Sequence, residues 1–133
     1  MTALTKDRKT TQRLGEDFSD PMAAAAKIFA GAIVCLNAAG DAVKGSVSTT
    51  LKVRGIAQET VDNTNGAAGN ENIPSRKGVF HLAQDGTITR ADIGGTAYIV
   101  DDQTVADNNG TNTRSACGTI VDVDVDGVFI RIA

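Results

Sequence analysis

The sequence predicts an all-β fold, a small β-sandwich or barrel of about eight or nine short strands behind an extended N-terminal arm. Three observations carry that reading. Apolar residues recur either with period two or as short continuous blocks, turn residues punctuate these segments at short intervals, and no long stretch shows the 3.6-residue spacing of an amphipathic helix.

The chain has 133 residues, the size of one domain. It has no Trp, one Tyr and four Phe, so burial must come mainly from Val, Ile, Leu and Ala. Such side chains suit strands.

Residues 1–21 read as the arm and 22–133 as the β domain. The arm is polar, with Leu4, Leu14 and Phe18 isolated among Thr, Gln and charged residues up to Asp20-Pro21. It buries too little apolar area to offset chain entropy and is expected to be mobile in the isolated chain. Met22 to Ala26 fits either one helical turn or a continuation of the arm.

The first core segment is Gly31-Ala32-Ile33-Val34-Cys35-Leu36, closed by a turn at Gly40-Asp41. Leu51-Lys52-Val53-Arg54 then alternates, and Gly55 breaks the pattern as a bulge or a close backbone approach does. Residues 60–77 read as a long polar interaction or surface loop. Gly78 to Ala83 is the next strand, and Gln84-Asp85-Gly86 signals a hairpin into Thr87-Ile88-Thr89. Thr96 to Val100 follows, then a second polar loop at 107–113. In Ile120 to Val125 the valines 121, 123 and 125 alternate with Asp122 and Asp124, which places the valines on one face. Asp126-Gly127 predicts a two-residue type I′ hairpin into the return strand Val128 to Ile132.

Charge divides the chain. Residues 1–13 set Lys6, Arg8, Lys9 and Arg13 against Asp7, a local charge of +3 within a total of −3, so the remainder carries −6. An acidic body with few aromatic residues lacks the basic stripe and stacking platforms of a nucleic-acid binder, and no direct nucleic-acid partner is expected.

Candidate chemistry is sparse. Asp122-Val123-Asp124-Val125-Asp126-Gly127 matches the opening of a calcium loop, but its twelfth position falls on Ala133 instead of a Glu, and the valines fit a strand. His81 is the single histidine and reads as a structural residue on a strand. There is no Gly-x-Ser-x-Gly elbow, and Gly94-Gly95 leads into a strand where a phosphate loop needs a helix. No catalytic residue, cofactor or metal is expected. Cys35 and Cys117 lie in apolar runs without zinc spacing. Cysteines on neighbouring strands can pair, but a chain of this size needs no staple, and both read as buried free thiols. The run Met22 to Leu36 mimics a targeting signal, yet Lys27 interrupts it, acidic residues separate it from the basic tip, and it is too short to span a bilayer. A soluble, uncleaved chain without a membrane partner is expected.

The order of features from residue 28 to 132 resembles the tailed-phage capsid cement, or decoration, proteins. The stretches that carry this are Gly31 to Asn37 with Gly40; Arg54-Gly55-Ile56-Ala57; Gly78-Val79-Phe80; Asp92-Ile93-Gly94 with Ala97 to Val105; and Gly118 to Asp122 with Gly127 to Ile130. The resemblance implies a non-enzymatic structural protein of the virion exterior, made in the host cytoplasm. Its partners would be the major capsid protein and itself, as a homotrimer with a homodimer as the alternative, bridging capsomers against internal pressure. The arm would supply the capsid contact through Leu4, Lys6, Arg8, Lys9, Arg13, Leu14 and Phe18. A competing reading is a virion-associated module that binds a ligand or host surface.

Overall fold

The continuous apolar block at residues 33–36 needs cover on both faces, and the tertiary structure supplies it. The computed structural model describes residues 2–133. Its strands, in chain order, are β1 (Asp17–Pro21), β2 (Lys27–Ile28), β3 (Ile33–Leu36), β4 (Ala42–Lys44), β5 (Lys52–Ala57), β6 (Val61–Asp62), β7 (Asn72–Arg76), β8 (Gly78–Gln84), β9 (Thr96–Ile99), β10 (Thr104–Ala106), β11 (Ala116–Val123) and β12 (Val128–Ile132). The fold is all-β, with a short 3-10 turn at Arg90–Asp92.

One sheet runs β1-β7-β5-β3-β4, and a second closes on itself as the barrel β10-β8-β12-β11-β9. All pairings are antiparallel except β8 with β10. Strand β3 faces both hydrophobic clusters. Ile33 and Cys35 point into the barrel with Ile99, Ile120 and Ile130, while Val34 packs behind the first sheet with Met22, Ile28, Ala42 and Ile73. A strand buried on both faces loses its polar alternation, which is why this block reads as unbroken apolar sequence.

The first sheet is itself nearly closed. Met22 makes a parallel bridge to Ala42, and the Ala23 N–H donates to the Ala42 carbonyl at 3.0 Å, so the chain leaving β1 crosses to the opposite edge strand, β4. Met22 is fully buried there.

Gly55 meets both expectations. Val34 pairs with Gly55 and Cys35 with Val53, leaving Arg54 as the extra residue of a bulge. A Cβ at position 55 would lie 2.6 Å from the Arg76 carbonyl oxygen of β7. Glycine is required because two backbones touch.

Other expectations are corrected. The structure has twelve strands among the described residues where eight or nine were expected, the extra ones being two to five residues long. The polar segment 60–77 holds β6 and β7, and β7 is a central strand flanked by β1 and β5. Only Ile73 and Ser75 of β7 point inward, too few to reveal a strand in sequence. Gln84-Asp85-Gly86 does not open a hairpin. Residues 85–89 form no strand, the Asp85 carboxylate accepts from the Thr87 N–H at 3.1 Å, and Ile88 drops into the core. The β11–β12 connection spans residues 124–127, with no type I′ turn. Asp124 organises it by accepting from the N–H groups of Asp126 (2.9 Å) and Gly127 (2.8 Å). A bulge between Ile120 and Asp122 also breaks the supposed valine face, and Val125 sits 97 % exposed at the tip.

Candidate interaction surface

Residues 2–16 have no regular structure and are exposed throughout. Lys6, Arg8, Lys9 and Arg13 extend along this segment, and Leu4 and Leu14 are 72 % and 85 % exposed. The boundary of the arm differs from the sequence reading. Asp17 to Pro21 are strand β1, paired residue for residue with Arg76 to Asn72 of β7, and the Lys77 N–H donates to the Glu16 carbonyl at 2.9 Å. The free arm therefore ends near Glu16.

Phe18 belongs to this root and is not a free anchor. The Arg54 guanidinium stacks on its ring at 3.6 Å, Lys77 lies 5.3 Å and Arg13 5.8 Å from the ring centroid. Arg54 also grips Asp20 with two hydrogen bonds, Nε to Oδ2 at 2.8 Å and Nη2 to Oδ1 at 3.1 Å. Both side chains are largely buried, which makes this the strongest ion pair of the root. Asp17 adds an exposed pair to Arg76 at 2.7 Å, and that hydrogen bond raises the Arg76 pKa. These contacts fasten β1 to the sheet and fix the direction in which the arm leaves.

Sequence reasoning brought together Leu4, Lys6, Arg8, Lys9, Arg13 and Leu14 only as neighbours in the chain, and the structure keeps them so. It missed Arg54 and Lys77. The alternation Leu51-Lys52-Val53-Arg54 marked Arg54 as polar-facing, but nothing local links it to Asp20 or Phe18, thirty-odd residues earlier.

Charge separates by lobe. Residues 14–77 carry seven carboxylates against six cations, whereas residues 78–133 carry eight against Arg90, Arg114 and Arg131. The acidity of the body is thus concentrated in the barrel. On the same molecule Phe29 stands 56 % exposed with Lys27 Nζ 5.0 Å from its ring, beside an open groove of about 380 Å³ lined by Ala30, Gly31, Ala32, Asp102 and Gln103. Phe29 lies inside the apolar run Met22 to Leu36, and the tertiary structure marks it as surface.

The remaining candidate chemistry has local explanations. His81 Nε2 and Asp124 Oδ1 are 3.1 Å apart, and the imidazole meets Phe129 edge-on at 5.0 Å. The hydrogen bond from His81, with those from the Asp126 and Gly127 N–H groups, holds the Asp124 carboxyl below its ordinary value of 3.8. The three carboxylates of the calcium-like segment do not converge. Asp122 turns to Arg90 at 3.3 Å and Asp124 to His81, and among the described residues no three potential ligands form a metal cluster. Cys35 and Cys117 are free and buried in the barrel core, where burial pushes each thiol up to about 12. No helix among the described residues is long and apolar enough to cross a membrane.

No family model, curated protein or solved structure matches the chain.

Proposed function

We propose that the protein is a non-enzymatic structural component of a tailed-phage virion, which binds the outer surface of the capsid and stabilises it by bridging capsomers. The carrying observation is the exposed, cationic arm of residues 2–16 fastened to a rigid sheet by the Arg54–Asp20 and Arg76–Asp17 pairs. An exposed segment with apolar side chains and four cations suits a partner that is acidic or apolar. The likeness to decoration proteins along residues 28–132 supplies the capsid as that partner. The same likeness implies a homotrimer or homodimer, and several arms offered together gain by effective concentration what each lacks alone.

Co-sedimentation with capsid shells tests the reading. The full chain should pellet with shells, and a variant carrying L4A, K6E, R8E, K9E and L14A should stay in the supernatant while melting at the wild-type temperature. Equal pelleting of the two proteins would refute the arm as the capsid contact.

A further inference from the structure

Residues 63–70 clamp the stretch of chain that closes the first sheet. Asn63, 2 % exposed, donates from Nδ2 to the Ala23 carbonyl at 3.0 Å and to the Ala67 carbonyl at 3.1 Å, and its N–H donates to the Ala26 carbonyl at 2.8 Å. The Ala25 N–H donates to the Gly66 carbonyl at 3.2 Å, and the Gly69 N–H to the Met22 carbonyl at 2.9 Å. Gly66 lies so close to Asn63 that a Cβ there would collide with the Asn63 side-chain oxygen. The segment from Met22 to Ala26 is therefore held by this loop as well as by its bridge to Ala42.

Within the clamp stands Asn65-Gly66, one of two Asn-Gly steps in the sequence, the other being Asn109-Gly110. An asparagine followed by glycine is open to cyclisation, because no side chain shields the next backbone nitrogen. The fold treats the two steps differently. Asn109 is held at both ends of its amide, with Nδ2 donating to Asn112 Oδ1 at 3.0 Å and Oδ1 accepting from the Asn112 N–H at 3.1 Å. Asn65 is exposed, and its side-chain amide makes no hydrogen bond among the described residues. The glycine N–H is engaged at both steps, Gly66 to the Asn63 carbonyl and Gly110 to Asn108 Oδ1, each at 3.0 Å, so the asparagine side chains make the difference.

We propose that Asn65 is a site of spontaneous deamidation and that its isoaspartate product loosens the clamp on Met22. The Gly66 nitrogen loses its proton to hydroxide and bonds to Asn65 Cγ, the Cγ–Nδ2 bond breaks, and ammonia leaves. Water then opens the cyclic imide at either carbonyl, giving aspartate or isoaspartate. Isoaspartate adds a methylene to the main chain between Asn63 and Gly66, which pushes Gly66 away from Asn63 and breaks the turn hydrogen bond. The inference does not rest on the capsid reading.

Peptide mapping by mass spectrometry tests it on the full chain held in mildly alkaline buffer. Asn65 should convert at least about tenfold faster than Asn109, because Asn109 must first release two hydrogen bonds. In urea the two steps should convert at similar rates, since the advantage belongs to the fold. Calorimetry should then find that the converted wild type melts at least about 2 °C below the fresh protein, while Asn65→Gln aged alongside it does not change. Asn65→Asp, which carries the new charge without the added methylene, should melt near the fresh wild type. Asn109 converting as fast as Asn65 in the native chain, a preference that persists in urea, a converted wild type with the melting temperature of the fresh one, or an Asn65→Asp protein melting as low as the converted one would each overturn the proposal.

Discussion

Truncating Met22 to alanine tests where the folded unit begins. Met22 is fully buried and packs with Ile28, Val34, Ala42 and Ile73, while its backbone carries the bridge between the two edges of the first sheet. A buried Met-to-Ala change costs about 2–5 kcal/mol, through lost transfer energy and the cavity left behind. The upper half is expected to be relieved, because the site borders short strands and the loop around Gly69 and can partly collapse. A cost of about 3 kcal/mol is then reasonable. For 133 residues the unfolding entropy at the midpoint is roughly 0.28 kcal/mol/K, so Tm should fall by about 10 °C. The control is Leu14→Ala, eight positions earlier and 85 % exposed, where the change should stay within about 0.5 kcal/mol. Differential scanning calorimetry on both variants reads the contrast. A Met22→Ala protein melting within about 2 °C of wild type would show that residue 22 lies outside the cooperative unit.

Three further outcomes follow from the geometry. Gly55→Ala should destabilise by about 1–3 kcal/mol in urea unfolding, because the new Cβ would meet the Arg76 carbonyl, whereas Gly15→Ala, with nothing within 4 Å, should be neutral. Arg54→Lys should cost about 1–2 kcal/mol, since an ammonium keeps the charge but loses both the two-pronged grip on Asp20 and the stack on Phe18; Arg54→Ala should cost more, as it leaves a largely buried carboxylate unpaired. NMR titration should find Asp124 below 3.8 in the native protein and nearer 3.8 in His81→Ala. Because the folded value is the depressed one, the contribution of Asp124 to stability is complete above the unfolded value and disappears as pH falls through the folded one. An unchanged Asp124 titration in His81→Ala would mean that the backbone N–H groups of the turn, and not the imidazole, set its pKa.

The arm was legible because exclusion from a core is a local property. Residues 2–16, with Leu4 and Leu14 isolated among polar and charged residues, offer too little apolar area to bury themselves. Its end was not legible, since Asp17-Phe18-Ser19-Asp20-Pro21 looks like more of the same polar chain. It becomes a strand only because β7 offers it an edge and Arg54 covers its aromatic ring. Phe18 illustrates the difference: sequence marks an aromatic in a polar arm, and the fold decides that the ring is already occupied.

What the sequence by itself determined was the class of structure, the strands with strong period or burial (β3, β5, β8, β9, β11 and β12), the backbone contact at Gly55 and the basic arm. Each of these depends on side chains near one another in the chain. What only the tertiary structure decided was the closure of the barrel, the doubly covered position of β3, the strands built from polar loops, and the exposure of Phe29 beside Asp102. Those depend on pairing partners tens of residues away, and a polar segment carries no periodic signal of the sheet edge that will make it a strand.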